Sequence, residues 1–154
     1  MDYSQGAVKH MTITDVIVVN LNRPKETEKT VHSLLRANDD IRIILINNGS
    51  DELPKIKPSR KVRIKNLKEN VGQAAAVNIG LDISTSEYVC FMHNDIYIKD
   101  KHWIRKAVKF LETHSEAGLV DVYGWKAVNG VKQNITSMWG HRNVLDPVGD
   151  FEEV

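Results

Sequence analysis

Short β-branched apolar runs that end in polar turns constrain the fold of this chain more than any other feature. The runs Val16–Val19 and Ile41–Ile46 are almost continuously apolar, which is typical of strands covered on both faces. Tyr88–Met92 is a further run of this kind, and segments of helical periodicity separate the three. The sequence therefore predicts an α/β fold with a mainly parallel central sheet.

The predicted elements alternate for most of the chain. In order they are a strand at 15–21, a helix from Pro24, a strand at 41–46, an exposed strand at 62–67, a helix at 73–83, a strand at 88–92, a helix at 101–114 with Asp100 as its N-cap, and a strand at 119–123. The basic segment 55–68 is interpreted as a solvated loop that leads into an edge strand. From residue 125 onward the pattern predicts no element.

Composition indicates one globular domain over residues 1–154. The apolar fraction is 42% and the charged fraction 27%, as in ordinary soluble proteins. The formal charge of +1 lacks the basic excess of nucleic-acid-binding domains, so no nucleic acid partner is expected. Cys90 is the single cysteine, and no apolar run approaches the roughly 20 residues of a membrane span. We therefore expect a cytoplasmic protein without a transmembrane segment.

Polar side chains follow three of the predicted strands. The segments are Asn20-Leu21-Asn22, Asn47-Asn48-Gly49-Ser50 and His93-Asn94-Asp95. In parallel α/β sheets, ligands bind beyond the carboxyl ends of the strands. The sequence therefore predicts a binding site at this edge of the sheet.

The tripeptide His93-Asn94-Asp95 is a candidate metal site. If the extended backbone persists, residues 93 and 95 point the same way, so an imidazole and a carboxylate converge. These two ligands suit Mn²⁺, and they suit Mg²⁺ less well because Mg²⁺ accepts imidazole less readily than Mn²⁺ does. Oxygen atoms of a diphosphate would complete the coordination shell. The alternative is a capping Asp and a surface His in a strand-to-helix turn.

The order of four motifs resembles that of glycosyltransferase family 2. Val16–Arg23 resembles the opening strand of that family, Asn47–Asp51 its Asp-Asp/Asn-Gly-Ser turn, Asn70–Gly80 its Asn-x-Gly helix, and His93–Asp95 its Asp-x-Asp motif. The resemblance implies a GT-A fold, a Rossmann-like three-layer sandwich, with a core at 14–128. Because members of the family continue well beyond this length, residues 129–154 are expected to be an acceptor or lid region, truncated here.

The resemblance also implies which residues bind the nucleotide sugar. They are Asn20, Leu21, Asn22, Arg23, Asn47, Gly72, Ala75, Asn78 and Asn94. Two of the matching positions depart from the family pattern. Asn47 replaces an Asp that meets the base or ribose, which exchanges a charge-assisted contact for a neutral one. His93 replaces the first Asp of Asp-x-Asp, so the motif becomes His-x-Asp with one carboxylate.

The family also implies a late general base and, in some GT-A enzymes, a late histidine that binds the metal. Asp146 and Asp150 are our candidates for the base, and Glu152 and Glu153 lie beside them. Inversion requires such a base because the acceptor hydroxyl must lose a proton as the bond forms. His141 is the candidate third metal ligand. For all of these residues the alternative is a solvated surface position.

Three functions are compatible with these features. The first is a metal-dependent transferase that moves a sugar from a UDP-sugar, with inversion, to an unknown saccharide or other acceptor. The second is a minimal or truncated domain that binds nucleotide sugar with little transfer or slow hydrolysis. The third is a nucleotidyltransferase or Rossmann-like nucleotide binder, although no Gly-x-Gly-x-x-Gly follows the first strand. A homodimer is an open alternative to a monomer, and metal and nucleotide are expected to bind cooperatively.

Overall fold

The computed structural model describes residues 13–37, 40–120, 123–128 and 131–136. Its elements are β1 (Thr14–Asn20), α1 (Pro24–Arg36), β2 (Ile41–Asn48), β3 (Val62–Leu67), α2 (Gln73–Ile83), β4 (Tyr88–Met92), α3 (Trp103–Thr113), β5 (Tyr123–Val128) and β6 (Val131–Thr136). The described residues fall into two compact units. The first contains 13–31 and 40–96, and the second contains 32–37, 97–120 and the strands β5 and β6.

The first unit is built on a four-stranded parallel sheet in the order β3-β2-β1-β4. This confirms the predicted α/β fold with a mainly parallel sheet. The register places Asn20 beside Asn47, and Asn47 beside Asn66. Because parallel strands end at a common edge, three asparagines from three strands lie side by side there. The predicted turn at Asn47 was wrong in one respect, since β2 continues through Asn48 by pairing with β3.

The two central strands are buried because both their faces carry apolar side chains. In β1 the side chains at 16–18 are fully buried, as are those at 43–46 in β2. Helix α2 packs on this sheet through Ala76, which belongs to a core cluster with Ile17. Gly80 permits the close approach, because a Cβ there would lie 2.7 Å from Cγ2 of Ile17. On the edge strand β3, Arg63 and Lys65 are exposed, as predicted for the basic segment.

A buried ion pair fixes the amino ends of the central strands. Asp15 is fully buried, and its two carboxylate oxygens accept hydrogen bonds of 2.7 Å from Nε and Nη2 of Arg42. The Ser84 hydroxyl and the backbone N–H of Thr85 donate to the same carboxylate at 2.7 and 3.0 Å. Burial by itself would raise the pKa of Asp15, but these hydrogen bonds outweigh it and lower the pKa to about 2.

The second unit corrects two predictions from the sequence and adds one pair of strands. Helix α3 begins at Trp103, with His102 at the N-cap position; Asp100 instead accepts a hydrogen bond of 2.7 Å from the backbone N–H of His102. The strand predicted at 119–123 was wrong, because residues 119–120 are not in a strand and β5 begins at Tyr123. From residue 125 onward the sequence pattern placed no element, and the structure has an antiparallel pair there, formed by β5 and β6.

The sequence did contain a signal for that pair. Asn-Gly at 129–130 separates the two strands in sequence, and this dipeptide is the strongest short-range indicator of a hairpin. The strands lack a clear apolar alternation, so periodicity alone missed them. None of the helices in the described parts of the chain combines the length and apolar character needed to cross a bilayer.

Candidate functional site

A cleft of about 250 Å³ opens at the carboxyl ends of β1, β2 and β4 in the first unit. Its wall is formed by strand ends and by the loops that follow them. The lining residues are Val19, Leu21, Arg23, Asn48, Asn70, Gly72, Gln73, Phe91, Met92, His93 and Asn94. The cleft therefore lies at the edge of the sheet where the sequence predicts a binding site.

Behind the cleft wall, buried asparagine amides connect the strand ends. Asn20 is fully buried, and its Nδ2 donates to Oδ1 of Asn47 and to Oγ of Ser50, both at 3.2 Å. Asn47 is 3% exposed, and its own Nδ2 donates to Oδ1 of Asn66 at 2.5 Å. These amides satisfy one another, as buried polar groups must. Asn20 and Asn47 thus support the loops around the cleft from behind and do not line it.

The loop between β1 and α1 is tied to the turn after β2. Asn22 has a positive φ of 51°, a conformation that asparagine adopts more readily than most residues. Its N–H donates to Oγ of Ser50 at 3.1 Å, and its side-chain oxygen accepts from the N–H of Asp51 at 3.2 Å. The N–H of Arg23 donates to Oδ1 of Asn20 at 3.3 Å. These bonds hold Leu21 and Arg23 in the cleft wall.

Asn48 holds the loop that begins α2. Its Oδ1 accepts from the N–H of Val71 at 3.0 Å, and its Nδ2 donates to Oδ1 of Asn70 at 3.0 Å. Gly72 is the N-cap of α2 with φ 82°, and no side chain caps this helix. Gly49 approaches the same loop so closely that a Cβ would lie 2.3 Å from the backbone N of Asn70. An uncapped helix start therefore lies in the cleft wall, where its partial positive charge favours anions.

The tripeptide after β4 presents two charged or titratable side chains to solvent. His93 and Asp95 are both exposed, and the His93 ring lies edge-on to that of Phe91, with centroids 5.3 Å apart. Oδ2 of Asp95 lies 4.0 Å from Nη1 of Arg23. Because both side chains of this pair are more than half exposed, solvent screens their attraction. Asn94, the middle residue, is partly buried and lines the cleft.

The donor set of the described residues fits a divalent ion only when another molecule supplies further ligands. Among residues 13–37, 40–120, 123–128 and 131–136, no group of three or more His, Cys, Asp or Glu side chains is placed to hold a metal. His93 and Asp95 supply an imidazole and a carboxylate, which suit Mn²⁺ when oxygen atoms of a diphosphate complete the shell. His141, the predicted third ligand, lies outside the described residues.

The structure separates the residues predicted from the sequence into three groups. Five line the cleft, namely Leu21, Arg23, Gly72, His93 and Asn94. Six lie outside its wall, namely Asn20, Asn22, Asn47, Ala75, Asn78 and Asp95. The other three, Asp146, Asp150 and His141, fall outside the described residues. The ligand-binding and catalytic roles of all of them stay predictions.

Several cleft residues were missed by the sequence analysis. They are Val19, Asn48, Asn70, Gln73, Phe91 and Met92. Asn48 and Asn70 lie within sequence motifs that resemble the family, so those motifs indicated that both residues are near the site. Phe91 and Met92 carried no separate signal, because an apolar residue near a strand end is more often part of the core.

Comparisons with known proteins identify the family of this chain. The profile of "Glycosyl transferase family 2" matches residues 15–146. An "Uncharacterized glycosyltransferase" of Haemophilus influenzae is 26% identical over 123 residues, and one of Rickettsia felis is 31% identical over 115. These matches cover 75% and 70% of this chain. The chain spans only 38% and 19% of the lengths of these relatives.

Solved structures resemble this chain in fold. Residues 1–349 of TarS from S. aureus superpose with a TM-score of 0.55 at 20% identity, covering 66% of this chain and 33% of that one. The mannosyltransferase PcManGT from Pyrobaculum calidifontis, in complex with GDP-Man and Mn²⁺, gives a TM-score of 0.57 at 18% identity, covering 67% and 33%. At these identities the likeness concerns the fold alone.

Proposed function

This chain belongs to glycosyltransferase family 2 and has the GT-A fold, and from that premise we propose that its cleft binds a nucleoside diphosphate sugar and presents the sugar for transfer to an acceptor. The proposal rests on the observation that three features line the same cleft. These are the guanidinium of Arg23, the uncapped start of α2 at Gly72, and the exposed imidazole of His93. All three favour an anionic ligand or the metal ion that accompanies one.

The lining of the cleft offers groups for both parts of such a donor. The apolar side chain of Leu21 and the amides of Asn48 and Asn70 suit a nucleoside. Arg23 supplies positive charge for a diphosphate, and His93 offers an imidazole for a bridging ion. We assign uridine as the base on the strength of the motif resemblance. GDP, the nucleotide of the donor bound to PcManGT, is the alternative to be tested.

Transfer with inversion would proceed by attack of an acceptor hydroxyl on the anomeric carbon as the diphosphate leaves. A bound divalent ion would supply electrostatic stabilisation of the departing diphosphate, and His93 and Asp95 are the residues that would hold it. Arg23 would add a fixed positive charge beside the same leaving group. The proton of the acceptor hydroxyl would pass to a carboxylate, for which we propose Asp150 or Asp146.

Calorimetry tests the binding step directly. We expect UDP to bind the chain in the presence of Mn²⁺ and to bind at least tenfold more weakly without it, because His93 and Asp95 need the diphosphate to complete the coordination shell. Asp95→Asn should lose this dependence on Mn²⁺. The matched control is Asp82→Asn, which removes an exposed carboxylate from α2 outside the cleft. Absence of UDP and GDP binding by the parent chain would refute the proposal.

A transfer assay separates the proposal from its alternative. A domain that binds nucleotide sugar with little transfer would release free sugar and UDP slowly and would ignore candidate acceptors. Transfer to a saccharide acceptor, lost in Asp150→Asn or Asp146→Asn while UDP affinity is retained, would support the transferase and identify the base.

A further inference from the structure

Two threonines of helix α1 hold the middle residue of the tripeptide. Thr27 and Thr30 are both fully buried. The hydroxyl of Thr30 donates to the backbone carbonyl of Asn94 at 2.8 Å. Nδ2 of Asn94 in turn donates to the hydroxyl of Thr27 at 3.1 Å. The main chain and the side chain of Asn94 are therefore each attached to the same face of α1.

The hydroxyl of Thr27 also reaches the end of β1. It lies 2.8 Å from Oδ1 of Asn20 and 2.8 Å from the backbone carbonyl of Arg23. A hydroxyl has one proton, so it donates to one of these acceptors at a time while it accepts from Asn94. Either arrangement joins the tripeptide to the chain segment that enters the cleft after β1. Thr27 thus links two walls of the cleft through buried hydrogen bonds.

These contacts matter because the sheet does not extend to the tripeptide. The pairing of β1 with β4 ends at Val18 and Met92, so residues 93–95 lie beyond the last strand pair. Within the turn itself, the N–H of Ile96 is 3.4 Å from the carbonyl of His93, at the long limit for a hydrogen bond. The shorter bonds to α1 therefore contribute most to the orientation of this segment.

We propose that Thr27 and Thr30 are positioning residues for the site. By fixing Asn94, they keep the side chains of His93 and Asp95 on the solvent side of the segment, where both can reach one divalent ion. The metal-binding part of this inference rests on the proposed function, whereas the ordering of the tripeptide does not. Residues that orient metal ligands through hydrogen bonds typically change metal affinity 10–100-fold when they are replaced.

The chain offers a matched control for removing a buried threonine hydroxyl. Thr14 is 1% exposed, and its hydroxyl has no hydrogen-bond partner in the described structure. Thr→Val keeps the shape and the β-branch of the side chain and removes the hydroxyl alone. We therefore compare Thr27→Val and Thr30→Val with Thr14→Val. Thr27→Ser, which keeps the hydroxyl, is the conservative variant that should restore parent behaviour.

The first measurement uses NMR on the full chain without ligand. In Thr27→Val and Thr30→Val we expect backbone amides at 93–95 and the side-chain amide of Asn94 to exchange with solvent at least tenfold faster than in the parent. Amides at 43–46 in the buried strand β2 should be unchanged, which checks that the first unit remains folded. Thr14→Val should leave the tripeptide unaffected.

The second measurement is a titration with Mn²⁺ in the presence of UDP, followed through the broadening of the same signals. We expect Thr27→Val and Thr30→Val to bind Mn²⁺ 10–100-fold more weakly, with changes below about twofold in Thr14→Val and Thr27→Ser. Tripeptide exchange rates that match those of Thr14→Val in both variants would overturn the inference. If the parent chain binds no Mn²⁺ in the presence of UDP, the proposed metal site fails, and the exchange rates still decide whether the threonines order the tripeptide. Should one Val variant not fold, the other provides the same comparison.

Discussion

Replacing Asp15 by Asn should destabilise the first unit by an amount that depends on pH. The hydrogen bonds from Arg42, Ser84 and Thr85 lower the pKa of Asp15 from 3.8 to about 2. A carboxylate whose pKa is lower in the folded state adds stability above its unfolded pKa, and this stability disappears as pH falls through the folded value. The shift corresponds to about 2 kcal/mol at pH 7, since one pKa unit is equivalent to about 1.4 kcal/mol.

The assay is urea unfolding of the parent chain and of Asp15→Asn between pH 7 and pH 2. The remaining carboxylates titrate in both proteins, so they cancel in the difference between the two free energies of unfolding. The difference in the free energy of unfolding should be about 1 kcal/mol smaller at pH 3 than at pH 7. At pH 2, most of the pH-dependent change of about 2 kcal/mol should be lost. Asp82→Asn, at an exposed position, should change stability by less than about 0.5 kcal/mol.

A pH-independent difference would refute this reasoning, because it would mean that the Asp15 carboxylate has the same pKa in the folded and unfolded chains. A second variant tests the partner. Arg42→Met leaves the buried carboxylate without its ion pair, and removal of one member of such a pair typically costs about 3–5 kcal/mol. Equal stability of Arg42→Met and the parent at pH 7 would contradict the assignment of Arg42 as the main partner.

Three further predictions concern the packing and the loops of the cleft. Gly80→Ala should destabilise the first unit by about 1–3 kcal/mol in urea unfolding, because the new Cβ would lie 2.7 Å from Cγ2 of Ile17. The control Gly118→Ala should leave stability unchanged, because no atom lies within 4 Å of its new Cβ. Gly72→Ala should cost about 1–3 kcal/mol, because φ 82° with ψ 160° is a backbone conformation essentially restricted to glycine, and calorimetry should show weaker UDP binding. Asn47→Asp should lower the free energy of unfolding at pH 7 by about 1–3 kcal/mol, since it buries a charge and removes the Nδ2 donor. A gain in both stability and UDP affinity would contradict this and would show that the side chain contacts the ligand directly.

Much of the first unit could be predicted from residue patterns. The bounds of β3, α2 and β4 are those expected from the sequence, and β1 differs by one residue at each end. These elements succeed because apolar runs and helical periodicity are local properties of the chain. The position of the cleft also followed, since polar residues at the ends of parallel strands must lie along one edge of the sheet.

The direct contacts of the site could not be predicted in the same way. Residue patterns do not distinguish Asn47, which lies behind the cleft, from Asn48, which is equally buried but contributes to the cleft wall. Both follow the same apolar run and have the same side chain. Their difference arises because successive residues of a strand point to opposite faces: the side chain of Asn47 bonds to Asn66 on the neighbouring strand, and that of Asn48 bonds to the loop at Asn70 and Val71.

The sequence by itself determined the alternation of strands and helices, the family, and the tripeptide His93-Asn94-Asp95 at a strand end. Only the tertiary structure decided which side chains hold that tripeptide. Thr27 and Thr30 lie more than 60 residues before Asn94 in the chain, and on α1 they are two polar positions among many. The packing of α1 beside the ends of β1 and β4 brings their hydroxyls to Asn94, and such long-range proximity depends on the strand order and register of the sheet.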